Sequence, residues 1–444
     1  MDVTVVGTLV IGGLFLLLLL GTPVAFALGG VSVTAILLTE GIPGLNYFGE
    51  TFYSRMSDFS LVAVPMFIVM GAAVASTPTG RDLYRVLDRS LRRVPGGLAI
   101  SNIGACGIFA ALSGSSPATC AAIGKMGIPE MIKRGYPDRV AAGSIAAGGT
   151  LGILIPPSIT MIVYGIATET SIGRLFFAGI VPGLLLVGLF MAWTLFASAR
   201  SADISGLRTR TAAETGAGDG LGHTADNATF VRVLPFLAIV VGILFVLYGG
   251  VATPSEAAGV GAFLCILFTA VIYRIWRVGT LTRIFRDSLR ESVMIMMIIA
   301  GAEVFAYVLS SLFITQSIAG WIAALAINRW LLMGLINVFL LVAGFFLPPV
   351  AVIVMTAPIL MPIILNAGFD PYWFGVILTI NLEIGLITPP VGLNLFIING
   401  IAPDITLRDI LMGSLPYVIC MVVAIVVLCV FPQLALWLPN TISG

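Results

Sequence analysis

Charged side chains are scarce in this sequence of 444 residues. Asp, Glu, Lys and Arg together make up 10% of it, while 59% of the residues are hydrophobic. A water-soluble domain of this length could not cover its surface with so few polar groups, so the composition predicts a polytopic membrane protein. The net charge of +1 gives no indication of a nucleic-acid partner, and we expect none.

Histidine and metal-binding patterns are almost absent. The single histidine, His223, lies in a polar stretch, and five cysteines lie in apolar segments without disulfide or metal spacing. A nucleophilic serine usually needs a histidine as its base, and the sequence has no H-E-x-x-H or aspartate-rich metal motif. An intramembrane hydrolase built on Ser113-Gly114-Ser115 is therefore only a remote alternative. We predict that the chain is not an enzyme and uses no cofactor.

Two helix-breaking stretches interrupt the apolar sequence of the first half. Residues 111–119 read A-L-S-G-S-S-P-A-T, and residues 148–158 read G-G-T-L-G-I-L-I-P-P-S. Such residues free backbone carbonyls, which survive in hydrocarbon only inside protein or at a wet cavity. Basic residues flank 97–132 on both sides, which predicts a re-entrant hairpin with both ends in the cytoplasm. The segment 138–168 is predicted to be a helix broken at 155–158.

The second half repeats these breaks at an almost constant distance. A shift of 233 residues places Gly152, Pro156 and Pro157 on Gly385, Pro389 and Pro390, and Ser115-Ser116 on Pro348-Pro349. An internal repeat with matching helix breaks points to the binding site of a transporter. We therefore predict an all-α fold of two inverted repeats of five spans, each with a re-entrant hairpin and a broken helix.

The predicted domain boundaries follow from this repeat. The first repeat covers 1–198, with an arm helix at 80–94, a hairpin at 97–132 and a broken helix at 138–168. A linker follows at 199–230. The second repeat covers 231–444, with an arm at 313–328, a hairpin at 331–365 and a broken helix at 371–398. The linker is rich in Gly, Ala, Thr, Ser and Asp, which predicts a flexible cytoplasmic connection.

The first arm helix is marked by arginines at helical spacing. They are Arg81, Arg85, Arg89 and Arg92, followed by Arg93, with leucines and valines between them. This pattern is typical of an amphipathic helix lying in the membrane interface, and its positive charge places it on the cytoplasmic side. We expect it to hold the scaffold spans to the hairpin and broken helix.

The breaks offer two kinds of ligand. Free carbonyls at a helix end can coordinate a dehydrated cation, and free amides attract a carboxylate. Hard oxygen ligands suit Na⁺ better than a transition metal. We predict one cation site at Ser113, Gly114, Ser115, Ser116, Thr119, Gly152, Ile155, Pro156 and Ser158, and a second at Leu347, Pro348, Pro349, Thr356, Thr388, Pro389 and Gly392. Predicted substrate-binding residues are Ser116, Ser158, Thr388 and Asn394. The alternative is that these serines only pack helices.

Three acidic residues lie in or beside apolar sequence. An intramembrane charge is costly and usually functional, so Glu383, next to the second break, is a candidate for ion or proton binding. Glu303 either has such a role or caps a packing network with Ser310 or Tyr307. Glu256 follows Thr253-Pro254-Ser255 and is expected to be a carboxylate at a helix N-terminus.

These motifs resemble the large membrane subunit of tripartite ATP-independent periplasmic (TRAP) transporters. The resemblance covers nearly the whole chain except 199–230, and its most specific matches are Phe109 to Thr119, Leu151 to Ile159 (L-G-I-L-I-P-P-S-I) and Ile384 to Gly392 (I-G-L-I-T-P-P-V-G). It implies an elevator-type, Na⁺-coupled symporter of the ion-transporter superfamily in a bacterial or archaeal cytoplasmic membrane. Its implied substrate is an organic anion, either a carboxylate or a sugar acid.

The resemblance also implies partners. They are a small four-helix membrane subunit, a periplasmic substrate-binding protein and membrane lipid. We do not expect the small subunit to be fused to this chain, because the chain begins at the first large-subunit span. Residues 347–349 read L-P-P where the family usually has an acidic residue in the middle, so a different ligand set is expected at the second cation site. A stand-alone carboxylate or ion transporter without a binding protein remains the alternative.

Overall fold

The computed structural model describes residues 3–91, 97–200, 227–325 and 327–442, and within these ranges it contains helices and no strand. The helices of the first half are α1 (Val3–Leu19), α2 (Val24–Thr39), α3 (Gly44–Met56), α4 (Ala63–Ala75), α5 (Thr79–Leu91), α6 (Gly97–Ser113), α7 (Ser116–Lys133), α8 (Asp138–Thr150), α9 (Ile159–Ala167) and α10 (Ile172–Arg200). Short 3₁₀ turns at Phe59–Val62 and Leu151–Ile153 precede α4 and follow α8.

The second half has the same order of elements from its arm onward. Its helices are α11 (Asn227–Tyr248), α12 (Pro254–Tyr273), α13 (Val278–Ser311), α14 (Ile314–Ala324), α15 (Arg329–Phe346), α16 (Pro349–Asn366), α17 (Pro371–Leu386), α18 (Leu393–Ile401), α19 (Leu407–Val430) and α20 (Gln433–Ile442). A short helix, a hairpin pair, a broken pair and a long helix follow one another as α5 to α10 and as α14 to α19.

Side chains that cap helix N-termini explain where several of these elements begin. Asn328, Asp370 and Thr406 each accept a hydrogen bond from a backbone N–H in the first turn of α15, α17 and α19. Thr253 and Glu256 form a reciprocal capping box at the start of α12, which confirms the expectation that Glu256 is a carboxylate at a helix N-terminus.

The described helices confirm a polytopic membrane protein. Seven are long and apolar enough to cross a membrane, and an eighth span results if α3 and the helices at 59–75, bent by 55°, count as one. Judged by helix length, the described residues therefore contain fewer membrane spans than the ten that the sequence predicts. In the first half every helix before α10 has 18 residues or fewer, because glycine, proline and serine divide the apolar sequence.

The predicted linker is shorter than the sequence indicated. Helix α10 continues to Arg200 and α11 begins at Asn227, so both ends of 199–230 are helical. Ala199 and Arg200 are both good helix formers, which favours continuation of α10 past the predicted boundary. The remainder of the predicted linker, including His223, lies outside the described residues.

The arm helix α5 separates its charges by face. Arg81, Arg85 and Arg89 are exposed, whereas Asp82 and Asp88 are buried. The predicted amphipathic helix is therefore confirmed between 79 and 91, while Arg92 and Arg93 lie outside the described residues.

The two buried carboxylates of α5 connect it to both halves of the chain. Asp82 accepts a hydrogen bond from the hydroxyl of Tyr273 on α12, with 3.0 Å between the oxygens. Asp88 accepts two from the guanidinium of Arg134, just after α7, at 3.1 and 3.2 Å. The side chains facing inward, rather than the arginines alone, fix the position of the arm.

Glu303 has a partner that the sequence analysis did not identify. Its carboxylate forms an ion pair with Arg55 of α3, and the expected network with Ser310 or Tyr307 is not its main contact. The two residues are 248 positions apart, so no local pattern could reveal the pair. Arg55 supplies the counter-charge of Glu303, so this carboxylate does not need a bound cation for that purpose.

The two halves interlock instead of lying side by side. Helix α2 packs on α13, α4 on α12 and α8 on α19. At the crossing of α8 and α19, a Cβ atom added at Gly413 would overlap the carbonyl oxygen of Arg139, and one added at Gly143 would overlap the carbonyl group of Gly413. Glycine at both positions allows the two backbones to touch, as at many contacts between membrane helices.

We predict that Gly413→Ala lowers the thermal stability of the detergent-solubilised protein. The added methyl group must push two backbones apart, and overpacking of this kind costs about 1–3 kcal/mol. Gly188→Ala on α10 is the matched control, because a Cβ atom there meets nothing within 4 Å. Thermal unfolding followed by tryptophan fluorescence measures both variants, and equal melting temperatures for the two would contradict the described contact.

Candidate ion and substrate site

The tip of the first hairpin inserts into the first break. Helix α6 ends at Ser113 and α7 begins at Ser116, with Gly114 in the left-handed region at φ +61°. The carbonyl of Gly114 accepts a hydrogen bond from the backbone N–H of Ile159 at 3.4 Å. A Cβ atom on Gly114 would lie 2.7 Å from the carbonyl oxygen of Pro157, so a glycine is needed there for two reasons.

Hydroxyl groups and one carbonyl gather at this tip. The hydroxyls of Ser113 and Thr119 are 2.9 Å apart, and Thr119 donates to the carbonyl oxygen of Ser115 at 2.9 Å. A Cβ atom on Gly152 would lie 2.5 Å from that same carbonyl oxygen. The structure therefore brings together four residues of the first predicted cation site, and Ser115 contributes through its backbone.

The first break is closed by its own cap. Between the 3₁₀ turn at 151–153 and α9, Pro156 and Pro157 are joined by a cis peptide bond. Ser158 donates to the carbonyl oxygen of Ile153 at 2.5 Å and accepts from the N–H of Met161 at 3.3 Å. Its hydroxyl is thus the N-cap of α9. Ile155 is half-buried and Pro156 is buried.

The second tip and break differ from the first in their polar groups. The N–H of Val391 donates to the carbonyl oxygen of Phe345 at 3.3 Å, and Gly385 lies against the backbone of Gly344. The hydroxyls of Thr356 and Thr388 bond carbonyl oxygens of their own helices, at 2.7 and 2.6 Å. No hydroxyl cluster like that of the first tip occurs in the described part of this region.

The second region is also more open. Pro348 and Pro389 are exposed, and Leu347 and Pro349 are half-buried. Ser116 and Pro156, which match Pro349 and Pro389 in the first half, are buried. Pro389 is joined to Pro390 by a cis peptide bond, and Gly392 has φ +53° at the start of α18. Backbone carbonyls are the main oxygen atoms that this region offers a cation.

A third polar contact joins the two halves at Ser116. Its hydroxyl donates to the carbonyl oxygen of Gly149 at 2.9 Å and accepts from the side-chain amide of Asn394 at 3.0 Å. One carboxylate oxygen of Glu383 lies 3.3 Å from the same hydroxyl. Asn394 follows the second break in sequence, but α18 packs against α7 and carries its side chain to the first hairpin.

Two of the four predicted substrate-binding residues thus meet directly. Ser116 and Asn394 are in contact, and both are buried. Ser158 and Thr388 instead bond backbone carbonyls at their own breaks. Asn381 of α17 was missed by the sequence analysis, although it donates to both the carbonyl and the side-chain oxygen of Asn337 on α15 at 2.9 Å. An asparagine inside an apolar helix was the available signal.

A separate polar pocket of about 480 Å³ surrounds the Arg55–Glu303 pair. Its other lining residues are Glu50, Thr51, Ser54 and Asp58. Because three carboxylates surround one arginine, this pocket favours a positively charged ligand or ordered water over a bound anion. The described residues contain no group of three or more His, Cys, Asp or Glu that could hold a metal ion.

Comparison with known proteins identifies the family. Residues 11–434 match the family described as tripartite ATP-independent periplasmic transporter, DctM component. The C4-dicarboxylate TRAP transporter large permease protein DctM of Pseudomonas aeruginosa is 38% identical over 411 residues, which are 93% of each chain. The isethionate TRAP transporter permease protein DctMQ of Oleidesulfovibrio alaskensis is 35% identical over 87% of this chain and 59% of that longer protein.

A solved structure supports the fold. The YdaH transporter of Alcanivorax borkumensis superposes with a TM-score of 0.65 at 16% identity, covering 97% of this chain and 98% of that one. At this identity the likeness concerns the fold alone. The order of the helices and the two interrupted helix pairs agree with the family match, which covers nearly the whole sequence. The chain therefore belongs to the DctM family, the large permease proteins of TRAP transporters.

Proposed function

We propose that this chain is the large transmembrane subunit of a Na⁺-coupled symporter that imports a small organic anion. The observation that carries the proposal is the polar contact between the two halves. There the first hairpin tip meets the first break, and Ser116 reaches Asn394 of the second half. Two interrupted helices with facing oxygen and amide groups are the usual ion and substrate site of secondary transporters.

The coupling ion is argued from ligand chemistry. The first tip presents hydroxyl and carbonyl oxygens of Ser113, Ser115 and Thr119 within hydrogen-bonding distance of one another. Oxygen ligands without sulfur or imidazole favour a hard cation, and the few nearby charges favour a monovalent one. The second region supplies mainly backbone carbonyls, so we propose a weaker site there.

The substrate class is inferred from two sources. Relatives with 38% and 35% identity are named for C4-dicarboxylate and isethionate, and both names denote small organic anions. Helix N-termini at α9 and α18 provide amide groups with partial positive charge beside Ser158 and Asn394. Ser116 and Asn394 are the proposed hydrogen-bonding partners of the anion.

The proposed motion is that of an elevator built from two inverted repeats. Each repeat would contribute one hairpin and one broken helix to the moving part, and α5 and α14 would be the arms. The contacts of Asp82 with Tyr273 and of Asp88 with Arg134 support this role for α5, because they hold it between a scaffold helix and the first hairpin. A small four-helix membrane subunit and a periplasmic binding protein are proposed as partners in the cytoplasmic membrane.

We predict Na⁺-dependent uptake of a C4-dicarboxylate or another small organic anion in liposomes. Uptake should require an inward Na⁺ gradient and the addition of both the small membrane subunit and the binding protein, and replacement of Na⁺ by choline should abolish it. Equal uptake in choline would disprove Na⁺ coupling. Uptake by the purified chain alone would instead favour the stand-alone transporter.

We predict that Ser116→Ala raises the Na⁺ concentration for half-maximal uptake about tenfold. The change removes the hydroxyl that contacts Gly149, Asn394 and Glu383, and loss of a buried hydrogen bond costs about 1–3 kcal/mol, with tenfold equal to about 1.4 kcal/mol. Ser115→Ala is the matched control, since it keeps the carbonyl group that the tip uses, and it should have a smaller effect. An unchanged Na⁺ dependence in Ser116→Ala would assign this serine to helix packing.

A further inference from the structure

Two buried oxygen atoms near Ser116 have no hydrogen-bond partner. They are Oε1 of Glu383, a side chain that is 1% exposed, and Oδ1 of Asn394, which is 0% exposed. Buried polar atoms are almost always satisfied, so each exception needs an explanation. Both side chains reach the hydroxyl of Ser116 through their other polar atom, so each unpartnered oxygen belongs to a group that contacts this hydroxyl.

The hydroxyl of Ser116 cannot satisfy this group of acceptors. It has a single proton, and the carbonyl oxygen of Gly149 at 2.9 Å is a nearer acceptor than Oε2 of Glu383 at 3.3 Å. The amide of Asn394 occupies one lone pair of the hydroxyl. The single proton of Ser116 therefore cannot serve Oε1 of Glu383 or Oδ1 of Asn394.

A negative charge on Glu383 would have no counter-charge among the described residues. No arginine or lysine lies within ion-pair distance of Glu383 among the described residues, whereas Glu303 is paired with Arg55. The hydroxyl of Ser116 and the backbone N–H of Ile153 interact with the Glu383 carboxyl, and neither carries a charge. A buried carboxylate without a counter-charge is costly, and a cation removes that cost.

We propose that Glu383, Asn394 and Ser116 form a binding site for a monovalent alkali cation, Na⁺ in the cell. This site shares Ser116 with the first predicted one but differs from both in position. Each predicted site lies between a tip and a break of the same half, whereas this one joins α7 to α17 and α18. The ligands are one charged and two neutral oxygens, a hard set of low charge that suits Na⁺.

The site has a consequence for the substrate. An anion bound at Ser116 and Asn394 would be repelled by the bare carboxylate of Glu383, and a cation held between them converts that repulsion into attraction. Cation binding would therefore precede anion binding and strengthen it. This part of the inference rests on the proposed function, whereas the existence of the cation site does not.

The test is a count of bound Na⁺. Equilibrium binding of radioactive Na⁺ to the purified full chain, with its small membrane subunit, is measured for the wild type, Glu383→Gln and Glu303→Gln. Glu383→Gln keeps the size of the side chain and removes its charge, and we expect it to bind one Na⁺ fewer per chain. Glu303→Gln, which alters an acid that already has Arg55 as its partner, should bind the full number.

Full Na⁺ binding by Glu383→Gln with unchanged affinity would overturn the proposal and mean that the carboxyl carries a proton instead. If Glu383→Gln does not fold, Asn394→Ala decides the matter. It keeps the carboxylate, removes one neutral ligand, and should weaken binding of that one Na⁺ about tenfold or more, an effect typical of altered ligand support. Unchanged affinity in Asn394→Ala would then overturn the proposal.

The outcome is separable from that of the uptake experiment. A lost Na⁺ in Glu383→Gln together with wild-type uptake that ignores the Na⁺ gradient would keep the cation site and refute Na⁺-coupled transport. Na⁺-driven uptake together with an unaltered Na⁺ count in Glu383→Gln and unchanged affinity in Asn394→Ala would refute only the cation site.

Discussion

Backbone polar groups have no water to bond in hydrocarbon, and this constraint decides where the chain can leave the helix. The structure leaves it in the middle of four apolar segments, after Ser113, Thr150, Phe346 and Leu386. At each place another backbone or hydroxyl group is brought close enough to take the freed donor or acceptor. The hairpin tips and the breaks therefore need each other, because neither could be buried alone.

The pairing of tip and break is repeated in both halves, but the polar atoms are distributed unequally. The first tip has hydroxyls and is buried, while the second has prolines and is partly open. Proline at 348 and 349 removes two backbone donors and leaves carbonyls as ligands. The two halves thus present different sets of oxygen atoms, although both have the same helix order.

The sequence predicted much of this arrangement and missed its most informative contact. Pro156, Pro157, Pro389 and Pro390 located the breaks to within a few residues, because proline and glycine act on the local backbone. The contact of Ser116 with Asn394 could not be predicted, since it joins residues 278 positions apart and depends on how α18 packs against α7. The partner of Glu303 was missed for the same reason.

The touching backbones of α8 and α19 have a mechanical meaning. Helix α8 enters the first break and α19 follows the second, and no side chain separates the two helices at Gly143 and Gly413. At this glycine-to-glycine contact the two backbones meet directly. The interrupted α8 of the first half is consequently joined, backbone to backbone, to the helix that follows the break of the second half.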